Sequence, residues 1–305
     1  MRQAVGSVLA AVGEHRRKEM LRAFDDPERT RWTYLPAPHP GAGLLEMDLQ
    51  ARKAFHRLLA TALSRRGFAQ AMGVMALEEV LDLDEGRRRR RHSAGFHLAV
   101  YGEPKDEALS WRIGGHHLSV TATIVADKAV VSPLFLGARP HRIHVGEQTV
   151  LAPVGPEEDF AHRLVTTLPG RLRVEAILSE QALPDIASGT ATEVDAALLQ
   201  RLSGIPVAAM RAEPRRVFDA LLLVYLDRLA PLLARAQKAS IVVGDLRFAW
   251  AGSRRPGDPH SYQISGPDLL IEYCNADGDH SHTVLRRPSG DFGFDLLAPG
   301  FDQRP

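Results

Sequence analysis

The feature that most limits how this chain can fold is a change of pattern made twice: helical spacing gives way to strand-like sequence, then both recur. FHLAVYG, LSWRIGGHHLSVTATIV and KAVVSPLFLG are β-branched and aromatic, with glycines and prolines between them, and predict three or four strands. LRFAWAG, HSYQISGP, LLIEYCN and SHTVLRR form a second such run, with turns at GSRRPGD, GPD and ADGD. Connections this short favour antiparallel pairing, and helices grouped between strand blocks favour an α+β fold over alternating βαβ units. Each block alone is small. The expectation is one antiparallel sheet built from both blocks, about 95–138 and 244–288, with helices packed on it.

A single domain over 1–305 follows, with N-terminal helices in 1–85, the first strand block in 95–138, a helical middle in 156–236 and the second strand block in 244–297. Residues 4–24 read as a first helix; the apolar run is short and lacks a convincing cleavage site, which leaves a signal peptide as the lesser alternative. RWTYLPAPHPGAG reads as an irregular strap pinned by Trp32 and Tyr34. Leu45, Leu49, Phe55, Leu58, Leu59 and Leu63 mark a helix from Leu44 to Leu63, with Arg65, Arg66 and Gly67 as its stop signal, and a second runs from Phe68 to about Leu83. The run Arg87 to Arg91 reads as a solvated loop, because five like charges repel one another. VFDALLLVYLDRLAPLLARAQ reads as one long buried helix kinked at Pro231. No internal repeat is evident.

Composition removes several classes of function. Lys plus Arg number 38 against 37 Asp plus Glu, so no net field draws the chain to nucleic acid or to a membrane surface. No stretch approaches the roughly 18 to 20 apolar residues a bilayer span needs. The lone Cys274 excludes an intrachain disulfide and a thiolate zinc cluster, and it fits a cytoplasmic setting. It reads as a small buried residue rather than a nucleophile, and Trp111 and Trp250 as core. Walker, dinucleotide-binding, G-x-S-x-G and HExxH patterns are absent.

The informative residues are histidines. Four of thirteen fall in two tight groups, His116 with His117 in RIGGHHLSV and His280 with His282 in DGDHSHTVL. Side chains two apart on a strand share a face, so His280 and His282 can hold one ion, but only one of His116 and His117 can join them. Glu272 sits in the neighbouring strand and is expected across from or beside them, as a ligand or an imidazole partner, since a buried carboxylate is costly unless paired. Asp291 in GDFGFDLL is a further candidate. Arg112 can serve as a clamp for a substrate carboxylate or as an ion-pair partner of Glu272. Histidines with a carboxylate suit a divalent transition metal: Fe(II), favoured here, or Zn(II), Mn(II) or Cu(II).

The pieces WTYLPAPHPGAGLLEMDLQ, VYGEP, WRIGGHHLSV, PLFLGARP, FAWAG, YQISGPDLLIEYCN, HSHTVLRR and DFGFDLL run in order from about Arg31 to Leu297. In them the chain resembles the domain-of-unknown-function 3500 family. What the resemblance implies is position, because the family-like pieces contain the residues already singled out. The chain departs from the family pattern at Cys274, which stands where the resemblance implies an Asp after Tyr273, and at Gly300 and Phe301, which stand in place of a terminal His-Tyr pair.

The leading expectation is a metal-dependent enzyme, a non-haem-iron-type oxidoreductase acting on a small-molecule substrate, with His117, His280 and His282 as ligands. A hydrolase could use the same histidines through a metal-activated water. The rival from another class is a binding protein without turnover. Nucleic-acid binding through Arg87 to Arg91 has the balanced charge against it, and nothing in the sequence specifies an oligomeric state.

Overall fold

The structure, a computed structural model, describes residues 1–298. The N-terminal run is two helices rather than one, α1 (Arg2–Ala11) and α2 (Glu14–Met20), because Val12 and Gly13 take extended backbone between them. The strand β1 (Leu21–Arg22), the strap, and β2 (Ala42–Gly43) follow. The next helix opens later than its apolar pattern, as α3 (Leu49–Ala62), where the Asp48 carboxylate accepts from the Ala51 N–H at 2.8 Å. Arg65, Arg66 and Gly67 do not end a helix; they begin α4 (Arg65–Asp84), capped by the Ser64 hydroxyl. The first strand block is β3 (His97–Tyr101), β4 (Ala108–Gly115), β5 (Leu118–Val125) and β6 (Lys128–Ala138).

A small hairpin, β7 (Ile143–Val145) and β8 (Gln148–Leu151), leads to α5 (Gly155–Thr167), α6 (Gly170–Ala176) and β9 (Ile177–Ser179). Beyond α7 (Ala196–Arg201) and β10 (Ile205–Pro206), the expected kinked helix is two helices, α8 (Ala212–Leu226) and α9 (Pro231–Ser240). Pro231 takes the first position of α9, where a missing N–H costs no hydrogen bond. The second block is β11 (Arg247–Gly252), β12 (His260–Gly266), β13 (Leu269–Asn275) and β14 (Ser281–Arg286), and the short helix α10 (Phe294–Leu297) ends the described chain.

Both strand blocks enter one mostly antiparallel sheet, which has twelve strands among the described residues, so the fold is α+β as expected. Its order contains a recurrence that the sequence hides. Two helices, a short strand, a second short strand, two helices and a four-strand meander occur in that order twice, α7 being an insertion in the second round. The pairings recur as well: β1 lies parallel to β3 as β9 does to β11, and β2 lies antiparallel to β3 as β10 does to β11.

The two halves join through β6 and β14, which run antiparallel with Leu134 opposite Leu285. In the helix layer the α3–α4 and α8–α9 junctions bond reciprocally: the Ser64 N–H donates to the Arg228 carbonyl at 2.8 Å, and the Ala230 N–H to the Ala62 carbonyl at 2.9 Å. Reciprocal contacts of this kind are what an approximate two-fold axis produces. Gly67 is required at that junction, since a Cβ there would come within 2.2 Å of the Arg228 carbonyl oxygen.

Alternation along the strands gives the sheet two unlike faces. Trp111, Val120, Leu134, Tyr262, Ile271 and Leu285 belong to one large apolar cluster under the helices. Ser110, Ser119, Thr121, Thr123, Gln263 and Glu272 are also buried, but on the opposite face, together with the aromatic cluster of Trp32, Tyr34, Phe135 and Phe292. The strap and the segment 180–195 therefore act as a lid on a polar sheet face, and this lid delivers side chains to the site.

Candidate metal centre

β4 pairs with β5 up to Gly115 opposite Leu118, so His116 and His117 are the two residues of a tight turn. His117 takes φ +62°, a left-handed conformation that costs a non-glycine residue on the order of 1 kcal/mol. Neighbours hold it there: the His117 N–H donates to the Tyr34 carbonyl at 3.0 Å, and its own carbonyl accepts from the Gly137 N–H at 2.7 Å. His280 lies one residue before β14 and His282 lies within it, opposite Cys274 on β13 and Gly137 on β6. Gly137 is what makes room: a Cβ there would stand 2.8 Å from His117 Cδ2 and 3.1 Å from His282 Cδ2.

The three imidazoles converge. One ring nitrogen of each of His117, His280 and His282 lies within 4.8 Å of the others. Nε2 of His117 and Nε2 of His280 are 2.9 Å apart. Metal–nitrogen bonds of about 2.0–2.1 Å in a tetrahedral arrangement hold nitrogens roughly 3.3 Å apart, so a few tenths of an ångström would admit an ion. His282 Nδ1 lies 2.7 Å from Asp185 Oδ1, while its Nε2 is buried without a partner. Donating Nδ1–H to a carboxylate leaves the Nε2 lone pair for a cation, the usual outer support of a metal-bound histidine. Asp185 is itself fixed by the Tyr34 hydroxyl at 3.0 Å and by the Ile186 N–H at 2.7 Å.

Electrostatics favour neutral rings at His117 and His280. Burial, then the neighbouring histidines, pushes the His117 pKa far below its ordinary value, and burial with the nearby His282 brings His280 down to about 4. Ligation requires neutral imidazole, so neither ring has to lose a proton near neutral pH. Burial raises the Asp185 carboxyl, but hydrogen bonds, led by that of His282, hold it below its ordinary value, so it stays an anion.

The pair lies in a turn, so the strand alternation expected to separate the two rings does not apply; His116 nevertheless turns aside. Its ring stacks on His117 at 3.7 Å, and its Nδ1 lies 2.6 Å from Glu78 Oε1 and 2.8 Å from Arg91 Nη1. A carboxylate accepts and a guanidinium donates, so the two neighbours compete for the state of one nitrogen. The arginine run is thus not uniformly solvated: Arg91 has a side chain 7% exposed and grips Glu85 at 2.8 and 3.0 Å. With Arg89, Arg139, Tyr34 and Asp279, these groups surround a cleft of about 570 Å³ that opens over the histidines.

Three residues expected here are engaged elsewhere. Arg112 does not pair with Glu272; it donates to the Glu28 carbonyl at 3.0 Å and the Tyr101 hydroxyl at 3.2 Å, holding the segment just before the strap. The Glu272 carboxylate is taken by the backbone N–H of Ser188 at 3.1 Å and by its hydroxyl, and it faces a separate, mostly apolar cavity of about 240 Å³. Asp291 accepts from Arg286 Nε at 2.7 Å and the Arg287 N–H at 3.0 Å, with Ser132 as a third partner. Burying a charge can be offset by local hydrogen bonds as well as by ligation, and here the local bonds do it. Cys274 is buried, its thiol pushed up to about 12, first by desolvation, and Sγ donates to the Leu183 carbonyl at 3.0 Å. Gly300 and Phe301 lie outside the described residues. Asp185, Glu78, Arg91 and Gly137 carry no sequence signal of their own, beyond a glutamate among the apolar residues of α4.

These features define a class, an α+β protein with a three-histidine cluster at the foot of an open cleft. A comparison with protein families matches residues 1–294 to the family described as protein of unknown function, DUF3500, and the chain belongs to that family. Neither the curated proteins nor the solved structures offer a match to it. No helix among the described residues is long and apolar enough to cross a membrane.

Proposed function

We propose that this protein is a metal-dependent enzyme acting on a small anionic molecule, with His117, His280 and His282 as ligands and Asp185 as the carboxylate behind His282. The observation that carries the reading is the convergence of three imidazole nitrogens within 4.8 Å, two of them on rings kept neutral, beneath a cleft that can admit a substrate. Among metals, Fe(II) remains the first to test, in a non-haem oxidoreductase; Zn(II), Mn(II) and Cu(II) accept the same donors. The bound ion would supply Lewis acidity and, as iron, redox chemistry. Arg89 on the cleft wall pairs with Glu85 at 3.7 Å, but Arg139 makes no ion pair among the described residues and can receive an anionic substrate group such as a carboxylate. The enzyme is taken as cytoplasmic, a setting that fits its lone free cysteine.

A specific observation supports water activation for hydrolysis as the second reading. The Glu78–His116 pair touches the ring of the ligand His117, where it could relay a proton to or from a bound water. Metal analysis of protein purified without added metal, followed by His282→Ala and His117→Ala, tests the centre. The reading predicts near-stoichiometric metal that both variants lose while keeping their circular dichroism; wild-type protein that neither carries nor takes up a transition metal would sink it. Oxygen uptake with the iron form, against ester or phosphoester cleavage with the zinc form, separates the two chemistries.

A further inference from the structure

A second set of donors lies where α5 meets β12, apart from the cleft. Glu158 and His162 are one helical turn apart on α5, and His260 opens β12; all three are buried, and their donor atoms lie within 4.8 Å of one another. What distinguishes the set is how little else these atoms do. His260 Nδ1 lies 2.9 Å from the Asp258 carbonyl, which makes it the protonated nitrogen and leaves a lone pair on Nε2. That Nε2 has no hydrogen-bond partner, and its distance to Glu158 Oε1, 3.7 Å, is too long for one. Neither ring nitrogen of His162 has a partner in hydrogen-bonding geometry, although the Arg254 carbonyl is close enough to favour a proton there.

Glu158 is set up in the complementary way. Its Oε2 is held by His141 Nε2 at 2.7 Å and Arg142 Nη2 at 2.8 Å, while Oε1 has only a long contact of 3.4 Å with Asn275 Nδ2. Trp250 stacks on His260, ring centres 4.9 Å apart, and meets His162 edge-on at 5.0 Å, so both imidazoles are wedged in orientation. Buried polar atoms without partners are costly, and several aimed at one point are what a bound cation satisfies together.

We infer that Glu158, His162 and His260 bind a divalent transition-metal ion of the zinc type, as a structural centre that ties helix α5 to the sheet. Two imidazole nitrogens and a carboxylate oxygen supply three of the four donors of tetrahedral zinc and a water would complete the set; the outer carboxylate oxygen is braced by His141 and Arg142, and full burial leaves no cleft for a substrate. The site belongs to the second half alone. The equivalent helix of the first half, α1, carries no histidine, aspartate or glutamate, and so offers no such set.

The experiment uses the full chain carrying His117→Ala and His280→Ala, so that the cleft centre cannot contribute, and zinc alone as the probe. Dialysis against micromolar zinc should leave about one equivalent bound and raise the melting temperature by several degrees. His162→Asn added to that background should abolish both effects. A folded double variant that binds no zinc, or zinc binding that survives His162→Asn, overturns the inference. Cobalt substitution gives a readout that does not depend on whether the triple variant folds: the double variant should show the visible absorption of a tetrahedral nitrogen–oxygen site, and its absence counts against the centre. Equal metal content in the wild-type and double-variant proteins would remove the cleft reading and leave this one standing.

Discussion

The two halves of the molecule share element order and strand pairing, yet they meet the solvent differently at equivalent turns. In the first half β4 and β5 are joined by His116 and His117 between Gly115 and Leu118; in the second, β12 and β13 are joined by Pro267 and Asp268 between Gly266 and Leu269. Asp268 only anchors local structure, accepting from the Ser289 hydroxyl at 2.8 Å. Left-handed backbone occurs at His117 and not at Asp268. The next connections differ too: two residues link β5 to β6, whereas a longer loop links β13 to β14 and delivers His280. The candidate chemistry thus lies where the repeat is broken, and His117, one of the left-handed non-glycine residues among those described, sits at the same place.

The strongest way to break the comparison is to make the halves alike. Grafting the second turn onto the first, as His116→Pro with His117→Asp, should abolish metal binding at the cleft, at least 100-fold by competition titration, while circular dichroism stays native. Next is Gly137→Val, which forces a side chain into the space of two imidazoles; we expect about 1–3 kcal/mol of lost stability in denaturant unfolding together with loss of the metal. Asp185→Asn keeps the shape but weakens the support behind His282, and a fall of about 10–100-fold in metal affinity is expected by titration.

The pH response of metal-stripped protein sharpens the contrast further. His117, His280 and His260 have pKa values depressed by burial, the latter two to about 4, so between there and about 6.5 the unfolded chain binds more protons than the folded one. Stability should therefore fall as pH drops through that window, by at most about 1.4 kcal/mol per pH unit for each histidine. Urea melts at pH 7 and 5 should show a smaller loss in the turn-grafted protein, and an equal loss would contradict the assignment. The smallest effect is His117→Asn: asparagine tolerates left-handed backbone, so metal-free stability should stay within about 1 kcal/mol of wild type even though the centre is lost.

Much of this could be read from the residues because it follows from period. Strand blocks announce themselves by β-branched residues and hairpin turns, and so the single sheet and the meeting of His117 with His280 and His282 were legible. Pairing across β6 and β14 did the long-range work, bringing the two histidine groups to opposite sides of Gly137. The repeat was not legible, because what recurs is backbone: α3 is capped by the Asp48 side chain whereas Arg211 at the same place in α8 makes no cap, and α4 has 20 residues against 10 in α9. Asp185 comes from an irregular segment with no periodicity to betray its direction. Arg91 was hidden by the charges beside it, and Glu272, Arg112 and Asp291 were drawn to the site because their burial has a second, local solution.

The reciprocal joint between the halves has a consequence for how such a chain could have arisen. Either half alone would leave β6 or β14 with an open row of N–H and carbonyl groups, the condition that drives strands to seek another chain. A second copy of the same half, turned by a true two-fold, could close that row and meet again at the helix junction, yielding a symmetric pair from one short gene. Light scattering on residues 1–151 expressed alone would read twice the fragment's mass if that ancestral arrangement is still encoded.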